Sequence, residues 1–124
     1  MRMRRRRFEA LVHQALATLP PELRRLLDGV AIVVEDWPSA EDLATAGVPP
    51  DETLFGLYIG VPLTERTSGY GMTLPDKIII FQGPLEDWCR SYDELVQEVR
   101  TTVIHEVAHH FGISDARLAE LGWA

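Results

Sequence analysis

Cysteine is nearly absent from this chain. Cys89 is the sole one in 124 residues, so an internal disulfide is excluded and no CxxC pair exists to hold a metal or run redox chemistry. The lone thiol is expected to be a small half-buried side chain, neither ligand nor nucleophile. Long apolar runs are missing too. None approaches the ~20 residues that a membrane span requires, and the N-terminus lacks the apolar segment of a secretory signal. A cytoplasmic location is the expectation. Basic charge is scarce beyond the start of the chain: the net charge is −7, and Arg2, Arg4, Arg5, Arg6 and Arg7 supply +5 of it, which leaves −12 on residues 8–124. An acidic body repels a phosphate backbone, which argues against a nucleic-acid surface there. The arginine run itself is expected to be a flexible, solvated basic terminus over residues 1–7. Apart from it there is no low-complexity tract, and no internal repeat. One domain over residues 1–124 is predicted, long enough for a core and too short for a second lobe.

What the chain does contain is periodicity. Phe8, Leu11, Val12, Ala15, Leu16 and Leu19 follow helical spacing, predicting an amphipathic helix that Pro20-Pro21 ends. Pro21 opens a short second helix to Leu27. His13 falls among polar neighbours and is expected at the surface. The β-branched run from Val30 to Glu35 predicts a first strand, and residues 38–52 read as a loop with at most a helical turn. A second strand is predicted over Leu54–Val61, where Gly56 and Gly60 clear one face for a close approach. Pro62 to Pro75 reads as a mobile loop around Ser68-Gly69-Tyr70-Gly71. Lys77–Phe81 is the third strand, its unbroken apolar character predicting burial on both faces, and Gly83-Pro84 is read as its breaker. Ser91 and Glu94 form a capping box for a long helix to Phe111, and Ala116–Leu121 a last short one. The fold class is α+β: a small mixed sheet of about three strands, backed by an N-terminal helix and the long helix.

That long helix carries the chemistry. In Thr102-Val103-Ile104-His105-Glu106-Val107-Ala108-His109-His110-Phe111-Gly112-Ile113-Ser114-Asp115, His105 and His109 are one turn apart and project from the same helix face, near enough to share a metal ion. Glu106 lies near the ion's open side, where a carboxylate can take a proton from water. Gly112 ends the helix and reverses the chain. The reversal brings back Asp115 as a candidate third ligand, with Glu120 as the alternative if the last helix folds back. Two histidines and a carboxylate with an open position suit zinc best. On the helical wheel Leu95, Val96, Val99, Val103, Ile104, Val107 and Phe111 share one half and the histidine pair the other. His110 falls in the apolar arc and is expected to be packed in the core, as are Tyr58 and Tyr92.

HEVAHHFGISD matches the extended zincin pattern HExxHxxGxxD, a metzincin variant with Asp as third ligand, as in small bacterial proteases of the snapalysin type. With LFGLYIGVPLTER, LPDKIIIF and TVIHEVAHHFGISDARLAELGW, the chain from about residue 30 onward resembles the bacterial minimal zincin-like metallopeptidase family. The resemblance implies one zinc ion held by His105, His109 and Asp115, with Glu106 as general base, and hydrolysis of a peptide bond in a peptide or protein substrate. No methionine follows Asp115, so no Met-turn is expected, and with nine residues left no C-terminal subdomain either. Tyr70 is the candidate oxyanion donor opposite the zinc, and the strand around Tyr58 the candidate edge for an extended substrate. Two other functions fit parts of the pattern. A zinc-bound peptide or protein interaction module agrees with the missing subdomain, but needs no general base at Glu106. A metal-dependent nuclease resembling the bacterial rRNA-processing endoribonucleases would carry three histidines, lack the Glu after the first, and be repelled by the acidic body.

Overall fold

The computed structural model describes residues 2–60 and 76–123. Among them are six helices and three strands: α1 (Arg5–Ala17), α2 (Pro21–Leu26), β1 (Ala31–Glu35), α3 (Ala40–Ala46), β2 (Gly56–Ile59), β3 (Lys77–Phe81), α4 (Gln82–Trp88), α5 (Tyr92–His110) and α6 (Asp115–Leu121). The predicted α+β architecture holds, with a mixed sheet of order β1-β3-β2. β1 runs parallel to β3 and β2 antiparallel to it.

β3 is central, as its unbroken apolar sequence predicts. Alternation along the strand splits it between two cores: Ile78 and Ile80 pack with Phe8, Leu11, Val99 and Val103 of α1 and α5, while Ile79 and Phe81 pack with Leu57 on the opposite face. The apolar arc of α5 is buried as the wheel predicts from Leu95 to Val107. Val99, Val103 and Val107 are fully enclosed, each stabilising the fold by about 1.5–3 kcal/mol relative to exposure. The arc fails at its end. Phe111 is 47% exposed, because the helix stops at His110 and the 100° step no longer applies.

Three local readings are corrected. Residues 40–46 form a full helix, α3, on a capping box in which Ser39 Oγ accepts from the Asp42 N–H and Asp42 Oδ2 from the Ser39 N–H. Gly83-Pro84 does not break the chain after β3; both sit in the first turn of α4, where a proline's missing N–H costs nothing. The N-terminal helix starts at Arg5, not Phe8, and so takes in three of the five arginines. Arg5 reaches Val34 O at 2.7 Å and Asp36 Oδ1 at 2.5 Å, and the Met3 N–H donates to Glu86 Oε2 at 2.7 Å. No helix among the described residues is long and apolar enough to cross a membrane.

Candidate active site

Helix α5 packs on the Ile78–Ile80 face of the sheet, against the central strand β3 and the edge strand β2. Its start is fixed by Ser91, whose Oγ accepts from the Glu94 N–H at 3.1 Å, the Ser91 half of the predicted box. Its end is a Schellman turn: Gly112 takes φ +71°, the Ile113 N–H reaches Ala108 O at 2.8 Å, and the Gly112 N–H bonds His109 O. The chain then turns to Ser114, which caps α6 by accepting from the Arg117 N–H.

β2 is the edge strand beside α5, and the two glycines make the close approach that their sequence position predicts. A Cβ on Gly56 would stand 2.6 Å from Thr102 Cγ2, and one on Gly60 2.7 Å from His110 Cε1. Gly56, Tyr58 and Gly60 share a strand face, and Thr102, Glu106 and His110 follow one another at four-residue intervals on the helix opposite. The period of two meets the period of about four.

Glu106 is the centre of this seam. Its Oε1 accepts from the Tyr58 N–H at 2.8 Å. Because the Phe81 N–H bonds Phe55 O, residues 55, 57 and 59 turn their amides to β3 and Tyr58 turns its own outward, to the free edge. The edge predicted to receive an extended substrate is thus β2, and its outward amide at Tyr58 is engaged by Glu106. Burial pushes the Glu106 carboxyl above its ordinary range, while the Tyr58 N–H and then His109 and His105 pull it back down. Half-buried and raised, this carboxylate takes up a proton more readily than an exposed one would.

His105 and His109 are both exposed on α5. His105 and Glu106 line one cavity, Glu106 and His109 its neighbour, so the carboxylate stands between the two. Two imidazoles one turn apart are suitable zinc donors. Asp115 is exposed at the first position of α6, and Glu120 pairs with Arg117 at 2.9 Å. Among the described residues no three His, Cys, Asp or Glu side chains are grouped closely enough to hold a metal ion. The histidine pair therefore fits zinc by donor chemistry, with the third donor not gathered. Tyr70 lies outside the described residues.

His110 corrects its expected role. It is not packed in the core: its side chain is 33% exposed, stacks on the Tyr58 ring at 3.9 Å between centroids, and places Nε2 3.7 Å from Asp76 Oδ2. The Tyr58 hydroxyl donates to the same Asp76 oxygen at 2.9 Å. Tyr58 and Tyr92, by contrast, do pack against the main core as expected, each half-buried, with Tyr92 also bonding Gln14 at 2.7 Å. A wheel drawn on one helix misses this group, because its partners come from β2 and from the start of β3. His13 is at the surface as predicted. Cys89 is buried, and desolvation, with repulsion from Glu94 and Glu98, raises its thiol to about 11.

No curated protein matches the chain. The solved structure of a conserved hypothetical protein from Thermo thermophilus is similar, with a TM-score of 0.56 at 23% identity over 86% of this chain and 92% of that one, a likeness of fold. The family model for zincin-like metallopeptidases matches residues 27–123, a span that includes all three strands, α5 and α6. The chain belongs to the zincin-like metallopeptidase family.

Proposed function

We propose that this chain is a zinc-dependent peptidase in which His105, His109 and Asp115 hold one ion and Glu106 is the general base. The observation that carries the reading is the placing of Glu106: half-buried, held at Oε1 by the Tyr58 N–H, and lining both the cavity that His105 lines and the one that His109 lines. Zinc, when bound, supplies Lewis acidity that polarises the peptide carbonyl and acidifies water. Glu106 keeps Oε2 for the proton work. It accepts a proton from the attacking water and delivers it to the departing amine, while the Tyr58 amide keeps the carboxylate oriented. The substrate backbone lies beside β2, and Tyr70 is the proposed oxyanion donor. A cytoplasmic setting is part of the same reading, supported by a single buried cysteine.

The test compares wild type with Glu106→Gln on a peptide mixture read by mass spectrometry. Both proteins should bind zinc, and cleavage should fall by roughly 100-fold or more in the variant. Peptide capture that survives Glu106→Gln, with no turnover in zinc-loaded wild type, would replace the peptidase reading with that of an interaction module.

A further inference from the structure

Beside the histidine pair, on the side of the earlier turns of α5, opens a cavity of about 580 Å³. Its walls come from four places: Trp37 after β1, Phe55 before β2, Pro84 and Trp88 of α4, and the Glu98–Thr102 turn of α5. The tryptophans are unusually open for their size, Trp37 53% and Trp88 65% exposed. Trp37 packs flat against Gly83, where any Cβ would stand within 2.3 Å of the indole. Phe55 and Trp88 meet at 6.2 Å between centroids with planes tilted by 51°. His105 and Glu106 line the same cavity, so a chain held at these residues has a neighbouring side chain within reach of it.

The charge of the lining is one-sided. Asp87 and Glu98 contribute carboxylates, and among the described residues no lysine or arginine lines the cavity. Neither carboxylate has a side-chain hydrogen bond or ion pair among the described residues. Asp87 is exposed and Glu98 half-buried, and an apolar occupant covering either would displace its water without replacing it, which is unfavourable. A cation solves the mismatch, because aromatic faces and carboxylates both attract it. We propose that this cavity is a subsite for the basic side chain of a peptide substrate, arginine before lysine, with its stem along Trp88 and Phe55 and its charge at Asp87 and Glu98. The planar guanidinium suits both the rings and the carboxylates better than an ammonium does. As a substrate subsite the proposal rests on the peptidase reading above.

The experiment needs no turnover. Trp123 is buried, while Trp37 and Trp88 line the cavity, so tryptophan fluorescence reports its occupancy. Zinc-free full-length chain is titrated with Nα-acetyl-arginine amide and with its neutral isostere Nα-acetyl-citrulline amide at low ionic strength. The arginine probe should bind about tenfold tighter, and the preference should fall below about twofold in the Asp87→Asn/Glu98→Gln double variant and with rising salt. Trp88→Ala should weaken the arginine probe while leaving the far-UV circular dichroism unchanged. Equal affinity for the two probes, or no fluorescence response to either, overturns the subsite and leaves the peptidase reading standing. A tenfold arginine preference in a chain that cleaves no peptide supports the cationic site and defeats the peptidase reading instead.

Discussion

Replacing Gly56 with alanine tests the seam between β2 and α5 with a single methyl group. The new Cβ would meet Thr102 Cγ2 at 2.6 Å and Ile79 O at 3.2 Å, the first well inside van der Waals contact and the second a backbone atom that cannot step aside. Overpacking of this kind costs about 1–3 kcal/mol. Stiffening the unfolded chain by Gly→Ala returns about 0.4–1 kcal/mol. The net loss expected is about 1–2 kcal/mol, which should lower the midpoint of urea unfolding, followed by circular dichroism, by roughly 0.5–1 M. Thr102→Ser is the control. It removes the offending Cγ2 but retains the hydroxyl that bonds Glu98 O at 2.8 Å, so in the Gly56→Ala background it should restore most of the loss. The coupling between the two changes is read from the double-mutant cycle. A Gly56→Ala chain as stable as wild type, or one that Thr102→Ser does not rescue, would refute the account of β2 as a strand cleared for the approach of α5.

Gly112→Ala meets no atom within 4 Å, so its cost is the conformational one of a side chain at φ +71°; about 1 kcal/mol of stability should be lost, and less with Gly112→Asn. Cys89 should react with iodoacetamide at pH 8 about 100-fold more slowly than a free thiol, since its pKa is raised to about 11, and unfolding in urea should abolish the protection. The folded state holds that proton more tightly than the unfolded one, so the stability gained is full below about pH 9 and is lost as pH rises through about 11. Thermal melts from pH 8 to 11 check the sign, with Cys89→Ser expected to flatten the fall. Asp115→Ala should lower zinc affinity at least tenfold in a competition titration; unchanged affinity would remove Asp115 from the ligand set.

The parts of this molecule that were readable from sequence are those set by short-range geometry. The histidine pair needs only the helical period, the end of α5 only a glycine that takes a positive φ, and the central position of β3 only an unbroken apolar run. Gly56 and Gly60 announced a close approach, although not what approaches. The rest depends on partners distant in the chain. The amide that holds Glu106 belongs to Tyr58, 48 residues earlier, and a backbone donor leaves no mark in a residue pattern. His110 fell in the apolar arc of its own helix, yet its neighbours are Tyr58 and Asp76. The cavity of Trp37, Phe55 and Trp88 joins three segments with no common motif. α3 and α4 were hidden for a different reason. Proline- and aspartate-rich composition outweighed a Ser39–Asp42 capping box in one case and first-turn tolerance of Pro84 in the other.

The central claim is that His105 and His109 hold zinc beside Glu106, and elemental analysis tests it most directly. Wild type and His109→Ala are purified without added metal, then supplied with zinc and dialysed. One zinc per wild-type chain, lost in His109→Ala while its circular dichroism is unchanged, is the predicted result. Wild type that takes up no zinc even when supplied, or His109→Ala that retains it in full, would contradict the account.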